Sequence, residues 1–120
     1  MKLIAIAFLA LLVVTQSVSA GFISLVPQGA RLLGGNGWDI GTAVAAAPDG
    51  SVYVLGQTRS RTIAGMSVSG PSDIVLAKYG LAGRPEWVRL IGGKGDESPA
   101  GVVVEGGHVY VAGDSSSARI

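Results

Sequence analysis

Beyond residue 41 the chain falls into short apolar runs punctuated by glycine and polar residues. Thr42 to Ala47 is a run of small and apolar residues that stops at Pro48-Asp49-Gly50, and Ser51 to Gly56 follows with Val52 and Val54 alternating against Tyr53 and Leu55. Alternation at a period of two predicts half-buried β-strands. An Asp-Gly pair between two such runs predicts a hairpin, because glycine accepts the positive φ that a tight turn demands. Gln57 to Ser72 is polar and glycine-bearing, and reads as a long connection with a short extended piece among Ile63, Met66 and Val68. Asp73 to Tyr79 predicts a third strand, Gly80 to Pro85 a turn, and Glu86 to Ile91 a fourth strand. Ala100 to Glu105 and Val109 to Ala112 then predict a second hairpin, joined through Gly106-Gly107. After residue 20, no window keeps apolar residues at helical spacing without a Gly or Pro break. The expected fold class is therefore all-β and antiparallel.

The pattern also returns along the chain. Arg31-Leu32-Leu33-Gly34-Gly35-Asn36-Gly37 recurs 58 residues on as Arg89-Leu90-Ile91-Gly92-Gly93-Lys94-Gly95. Val52-Tyr53-Val54-Leu55-Gly56 recurs 57 residues on as Val109-Tyr110-Val111-Ala112-Gly113, so the second copy loses one residue in between. Gly34, Gly35, Gly37, Gly92, Gly93 and Gly95, with Tyr53 and Tyr110, are the landmarks of the repeat. Residues 31–91 make a first unit and residues 92–120 a shortened second one. About four antiparallel strands per unit of this length predict β-propeller blades. With a leading strand around Ala30 to Leu33, the chain holds about one and a half blades. Such a ring closes with about four to eight. The unpaired edges invite self-association, so either several chains close one ring, or the chain is part of a longer product, which is the leading reading, or it is a degraded remnant.

The first twenty residues read as an address. Met1-Lys2 is a short positive start, Leu3 to Val14 is uninterruptedly apolar, and Thr15 to Ala20 is a small-residue stretch with Val18 and Ala20 placed for signal peptidase. Cleavage after Ala20 is expected, since the apolar run is shorter than the roughly 20 residues that span a bilayer. The mature part would be residues 21–120, without a stable membrane span and secreted or at the cell surface (periplasmic in a Gram-negative bacterium). Its chemistry is consistent with export and excludes some partners. Removing Lys2 from the nine basic residues leaves eight against eight acidic ones, interspersed, so neither a nucleic-acid nor an anionic-membrane surface is implied. There is no cysteine, so no disulfide or lipoprotein anchor supports the fold, which must rest on strand pairing and burial.

Three segments carry a family resemblance: Gly34 to Ala45, Asp49 to Thr58 and Asp73 to Tyr79. Together they resemble the bacterial (seven-bladed) β-propeller repeat, over residues 31 to about 115. The resemblance implies a glycine-rich lead-in, an acidic pair, a small-residue strand, a turn and a Val-Tyr-Val strand. Asp96-Glu97 keeps the acidic pair, where the first unit has Trp38-Asp39, and Pro99 stands where the first unit has Gly41. It implies exported or surface-attached modules with no catalytic residue belonging to the repeat. A weaker likeness, of Leu76 to Trp87 to the tryptophan-docking segment of quinoprotein-type propellers, lacks that segment's Asp and Thr-Gly. No cofactor is expected.

Candidate chemistry is sparse. Gly92-Gly93-Lys94-Gly95 lacks the Ser or Thr of a phosphate loop, and Gly35-Asn36-Gly37 lacks the third glycine of a dinucleotide fingerprint. His108 is the only histidine and opens a strand, which leaves no His-based triad and no His-pair metal site. Ser115-Ser116-Ser117 reads as a polar tract. Asp39, Asp96 and Glu97 are expected to accept hydrogen bonds from turn amides, with calcium coordination as the competing role. Trp87 lies in a strand and reads as packing. Trp38 lies in the glycine loop and, with Asp39, is the candidate contact for a protein or glycan partner. The sequence thus points to an exported, non-catalytic binding or structural module. The alternatives are the substrate-binding portion of a secreted enzyme or quinoprotein-like propeller, and a self-assembling lectin-like ring.

Overall fold

The computed structural model of the chain describes residues 3–5 and 30–120. Strands β1 (Leu3–Ala5) and β2 (Arg31–Leu33) pair antiparallel. The remainder of the expected leader, residues 1–20, lies outside the described residues. Then follow β3 (Asp39–Ala46), β4 (Val52–Thr58), the two-residue strands β5 (Thr62–Ile63) and β6 (Met66–Ser67), β7 (Asp73–Tyr79), β8 (Pro85–Ile91), β9 (Glu97–Glu105) and β10 (His108–Ser115). The only helical piece among the described residues is a 3-10 turn, Leu81–Gly83. The fold is all-β and every strand pair is antiparallel.

The centre is a four-stranded sheet in the order β3-β4-β7-β8, with β5-β6 a small separate hairpin and β9-β10 a two-stranded sheet. β3 and β9 both begin earlier than the apolar runs do, because Asp39 pairs with Thr58 and Glu97 with Ser115 across their hairpins. The connection from 57 to 72 is partly ordered by the Ala64-Gly65 turn, where both residues have positive φ (49° and 77°).

The two long hairpins differ by one residue for a visible reason. In the first, Pro48-Asp49-Gly50 is a three-residue loop closed by Gly50 N–H to Ala47 C=O (3.0 Å), with Gly50 at φ 81°. In the second, Glu105 pairs with His108 around Gly106-Gly107, whose φ values of 57° and 77° are those of a two-residue I′ turn. The register is otherwise shared. β3-β4 shifts register between Gly41 and Ala43, and β9-β10 shifts at the equivalent step, where Ala112 faces Gly101 and Gly113 faces Pro99. Each shift is a bulge, and a bulge tolerates a residue that lacks an N–H, which is how Pro99 fits inside a strand.

Both faces of the central sheet are covered in part. On one, Tyr53, Leu55, Ile74 and Leu76 are buried with Val102 of β9, and Val104, Val109 and Val111 pack against them. Trp87 meets Tyr53 edge-on at 5.8 Å. On the other, Val75, Ala77 and Tyr79 are buried with Leu33 of β2 and Ile63 of β5. Burial pushes the Tyr79 phenol up from its ordinary value. The sheet therefore fixes the ends of its strands, where the polar residues gather.

Candidate functional site

The strand end that carries Asp39, Thr58, Asp73 and Ile91 is built around buried carboxylates. Asp39 is 1% exposed. Its Oδ2 accepts the Gly35 N–H at 2.8 Å, its Oδ1 accepts the Thr58 hydroxyl at 2.5 Å, and the Ser60 hydroxyl lies 3.1–3.2 Å from both oxygens. Ser60 Oγ in turn accepts the Gly37 N–H at 2.8 Å. The same set of contacts recurs in the second unit. Glu97 Oε2 accepts the Gly93 N–H at 3.1 Å, and Oε1 accepts the hydroxyls of Ser115 at 2.9 Å and Ser117 at 2.5 Å. Ser117 Oγ accepts the Gly95 N–H at 2.8 Å. Burial pushes the Glu97 carboxyl up, but the Ser117 and Ser115 hydroxyls and the Gly93 amide outweigh it and hold the group below its ordinary value of 4.5.

This carboxylate latch explains the glycine landmarks through close approach of one segment to another. None of Gly34, Gly35, Gly37, Gly92, Gly93 and Gly95 has positive φ. Four of them let a loop lie against the segment leaving the next strand. A Cβ on Gly35 would stand 2.5 Å from Ser60 Oγ and one on Gly93 2.5 Å from Ser117 Oγ, while one on Gly37 would stand 2.6 Å from the Arg59 carbonyl oxygen and one on Gly95 2.5 Å from Ser116 Oγ. A Cβ on Gly92 would run into the Asp73 carboxylate and stand 2.8 Å from Glu97 Oε2. Gly34 is half-buried beyond β2.

A second set of bonds ties the two units together. Gln57 Nε2 donates to the Glu97 carbonyl at 2.6 Å and to Ser72 Oγ at 3.1 Å, and the Glu97 N–H donates to the Ser72 carbonyl at 3.1 Å. Ser72 Oγ lies 3.0 Å from Asp96 Oδ1. Asp73, fully buried, accepts the amides of Ser69 at 2.9 Å and Gly70 at 3.3 Å. No buried side-chain nitrogen or oxygen among the described residues is left without a partner. Among those residues there is also no group of three or more His, Cys, Asp or Glu side chains placed to hold a metal ion.

Of the two candidate contact residues, the structure puts Trp38 and Asp39 to different uses. Asp39 faces inward, with both oxygens engaged, and is not available to a partner. Trp38 is 59% exposed and Ile40 46% exposed, and with Gln57 and Arg59 they line a depression of about 250 Å³. Tyr53 is buried and Tyr110 is 58% exposed, so the repeated tyrosine packs in one unit and meets solvent in the other. His108 is exposed beside the Gly106 carbonyl, 3.0 Å from its Nδ1. Thr58, Ser60, Ser115 and Ser117 are the participants that sequence reasoning missed. Thr58-x-Ser60 and Ser115-x-Ser117 stand at the repeat spacing of 57, which is the signal that could have found them.

No family model, no curated protein and no solved structure matches the chain. No helix among the described residues is long and apolar enough to cross a membrane.

Proposed function

We propose that the chain is an exported, non-catalytic module of β-propeller type, one that holds a recognition surface for a protein or glycan on rigid strand ends. The observation that carries this reading is the division of labour around Asp39. The buried carboxylates of Asp39 and Glu97 are fully hydrogen-bonded inside the fold, while the exposed chemistry beside them is an indole, an apolar side chain and a guanidinium. A carboxylate held by neighbouring hydroxyls and amides is a poor acid, base or ligand. An exposed indole on a scaffold that loses little entropy on binding suits stacking against the apolar face of a sugar or seating of a partner side chain. Arg59 adds a fixed positive charge at the rim and favours ligands that carry a carboxylate.

The experiment is calorimetric titration of the protein with a panel of neutral and uronic-acid oligosaccharides, in wild type and Trp38→Ala. Heat of binding that the substitution abolishes, without any change in the sugar, supports the reading. Binding that Trp38→Ala leaves unchanged, or a sugar that emerges cleaved, overturns it.

A further inference from the structure

The central sheet and the β9-β10 hairpin meet through an interface whose two halves both recur elsewhere on the molecule, one of them exposed and the other covered only in part, where β1 lies against β3 and Val54 packs beside Leu33. β9 lies against β3, β4 and β7. From the sheet come Ala43, Ala45, Tyr53 and Leu55, and from the hairpin Val102, Val104, Val109 and Val111. Moved along by one repeat, the sheet's half becomes Gly101, Val103, Tyr110 and Ala112, the outward face of β9-β10. The hairpin's half becomes Val44, Ala46, Val52 and Val54, on the opposite face of β3-β4. Every one of these eight residues is apolar, aromatic or glycine. Val103 and Tyr110 are each 58% exposed and Val44 is 66% exposed. The Val44 face is already used in this way at one point. Leu33, whose counterpart 58 residues on is Ile91, sits on that face against Val75, Ala77 and Tyr79, whereas Ile91 packs on the Tyr53 face of its own sheet.

We infer that these two faces bind one another between copies, the Tyr110 face of one chain docking on the Val44 face of the next. The internal interface supplies the geometry, and its continuation at both ends supplies the occupant, a second copy of this chain. Such an interface is heterologous: each copy uses one face as donor and the other as acceptor, so assembly proceeds head to tail and either closes into a ring or extends as a filament. It is distinct from the Trp38 depression and independent of what binds there.

The heterologous character gives a decisive test. The chain is expressed with its leader and recovered in the form the host releases, its N-terminus read by intact mass. Light scattering behind size exclusion then compares wild type, Val44→Glu, Tyr110→Glu and an equimolar mixture of the two variants. Wild type is expected to exceed monomer mass and each variant alone to run as monomer. The mixture is expected to double that mass and go no further, because only one intact pair of faces remains. Ala46→Glu and Val103→Glu replace either variant that loses its β circular dichroism. A monomeric wild type, a variant that assembles as wild type does, or a mixture that stays at monomer mass overturns the inference.

Discussion

The hairpins β3-β4 and β9-β10 close on the same latch at the same bulge, yet they spend their remaining residues differently. In the first, Asp39 meets Thr58 and Ser60, all three buried. In the second, a glutamate one methylene longer meets two serines, of which Ser115 is exposed and Ser117 half-buried. The exposed Trp38, Ile40 and Arg59 give way to the exposed Asp96, Ser98 and Ser116. The inward chemistry is held while the outward chemistry changes. That contrast separates the residues that build the fold from those left on the surface, and the proposed recognition surface lies on the first unit's strand ends.

Four measurements bear on the difference between the two hairpins. The largest effect belongs to the latches themselves. Asp39→Ala strands the Thr58 and Ser60 hydroxyls and the Gly35 amide in a dry site, and should cost about 3–4 kcal/mol of unfolding free energy. Glu97→Ala strands groups that water can reach, and should cost about 1–2 kcal/mol. Denaturant titration reads both, and equal losses would mean that the two sites are not differently closed. Next come Gly35→Ala and Gly93→Ala, each forcing a methyl against a backbone carbonyl oxygen, of Thr62 and Arg119 respectively, and against a serine side chain, at about 2 kcal/mol. Here the two units should match, and a neutral Gly93→Ala would show that the second loop does not lie close.

A pH series isolates the second latch. Because folding holds Glu97 below its ordinary value, its contribution is complete above that value and is lost as pH falls through the lowered one. The stability difference between wild type and Glu97→Gln should therefore shrink on acidification below about pH 4.5. The lowered Asp49, which accepts from Ser51, is present in both proteins and drops out of the difference. A difference that grows on acidification would contradict the assignment. The smallest stability effect is expected of Trp38→Ala, within about 0.5 kcal/mol, because the indole is mostly in water. A larger loss in thermal melts would make Trp38 a packing residue and remove the main support for a recognition surface.

Much of the strand layout was legible because alternation is a direct imprint of a two-sided sheet. Asp73 to Tyr79 was bounded as observed, with Val75 and Ala77 on one face and Ile74 and Leu76 on the other. The starts of β3 and β9 were not, since Asp39 and Glu97 look like loop acids until the partners across the hairpin are known. That the acids bind turn amides was readable from their place in glycine loops. That Thr58 and Ser60 complete the cage was not, because those contacts span about twenty residues and depend on register. The glycines were visible as landmarks, but their cause is close approach of chain to chain, which no local pattern encodes. The depression at Trp38 is assembled from two strand ends and leaves no single motif.

The most direct test of the shared latch is amide hydrogen exchange at Gly35, Gly37, Gly93 and Gly95, resolved residue by residue by NMR. All four N–H groups donate to a carboxylate or to the serine that the carboxylate holds, so all four should be protected, Gly35 and Gly37 more strongly. Protection at Gly35 and Gly37 with random-coil exchange at Gly93 and Gly95 would mean that the second unit does not close on Glu97, and the account of one latch used twice would fail.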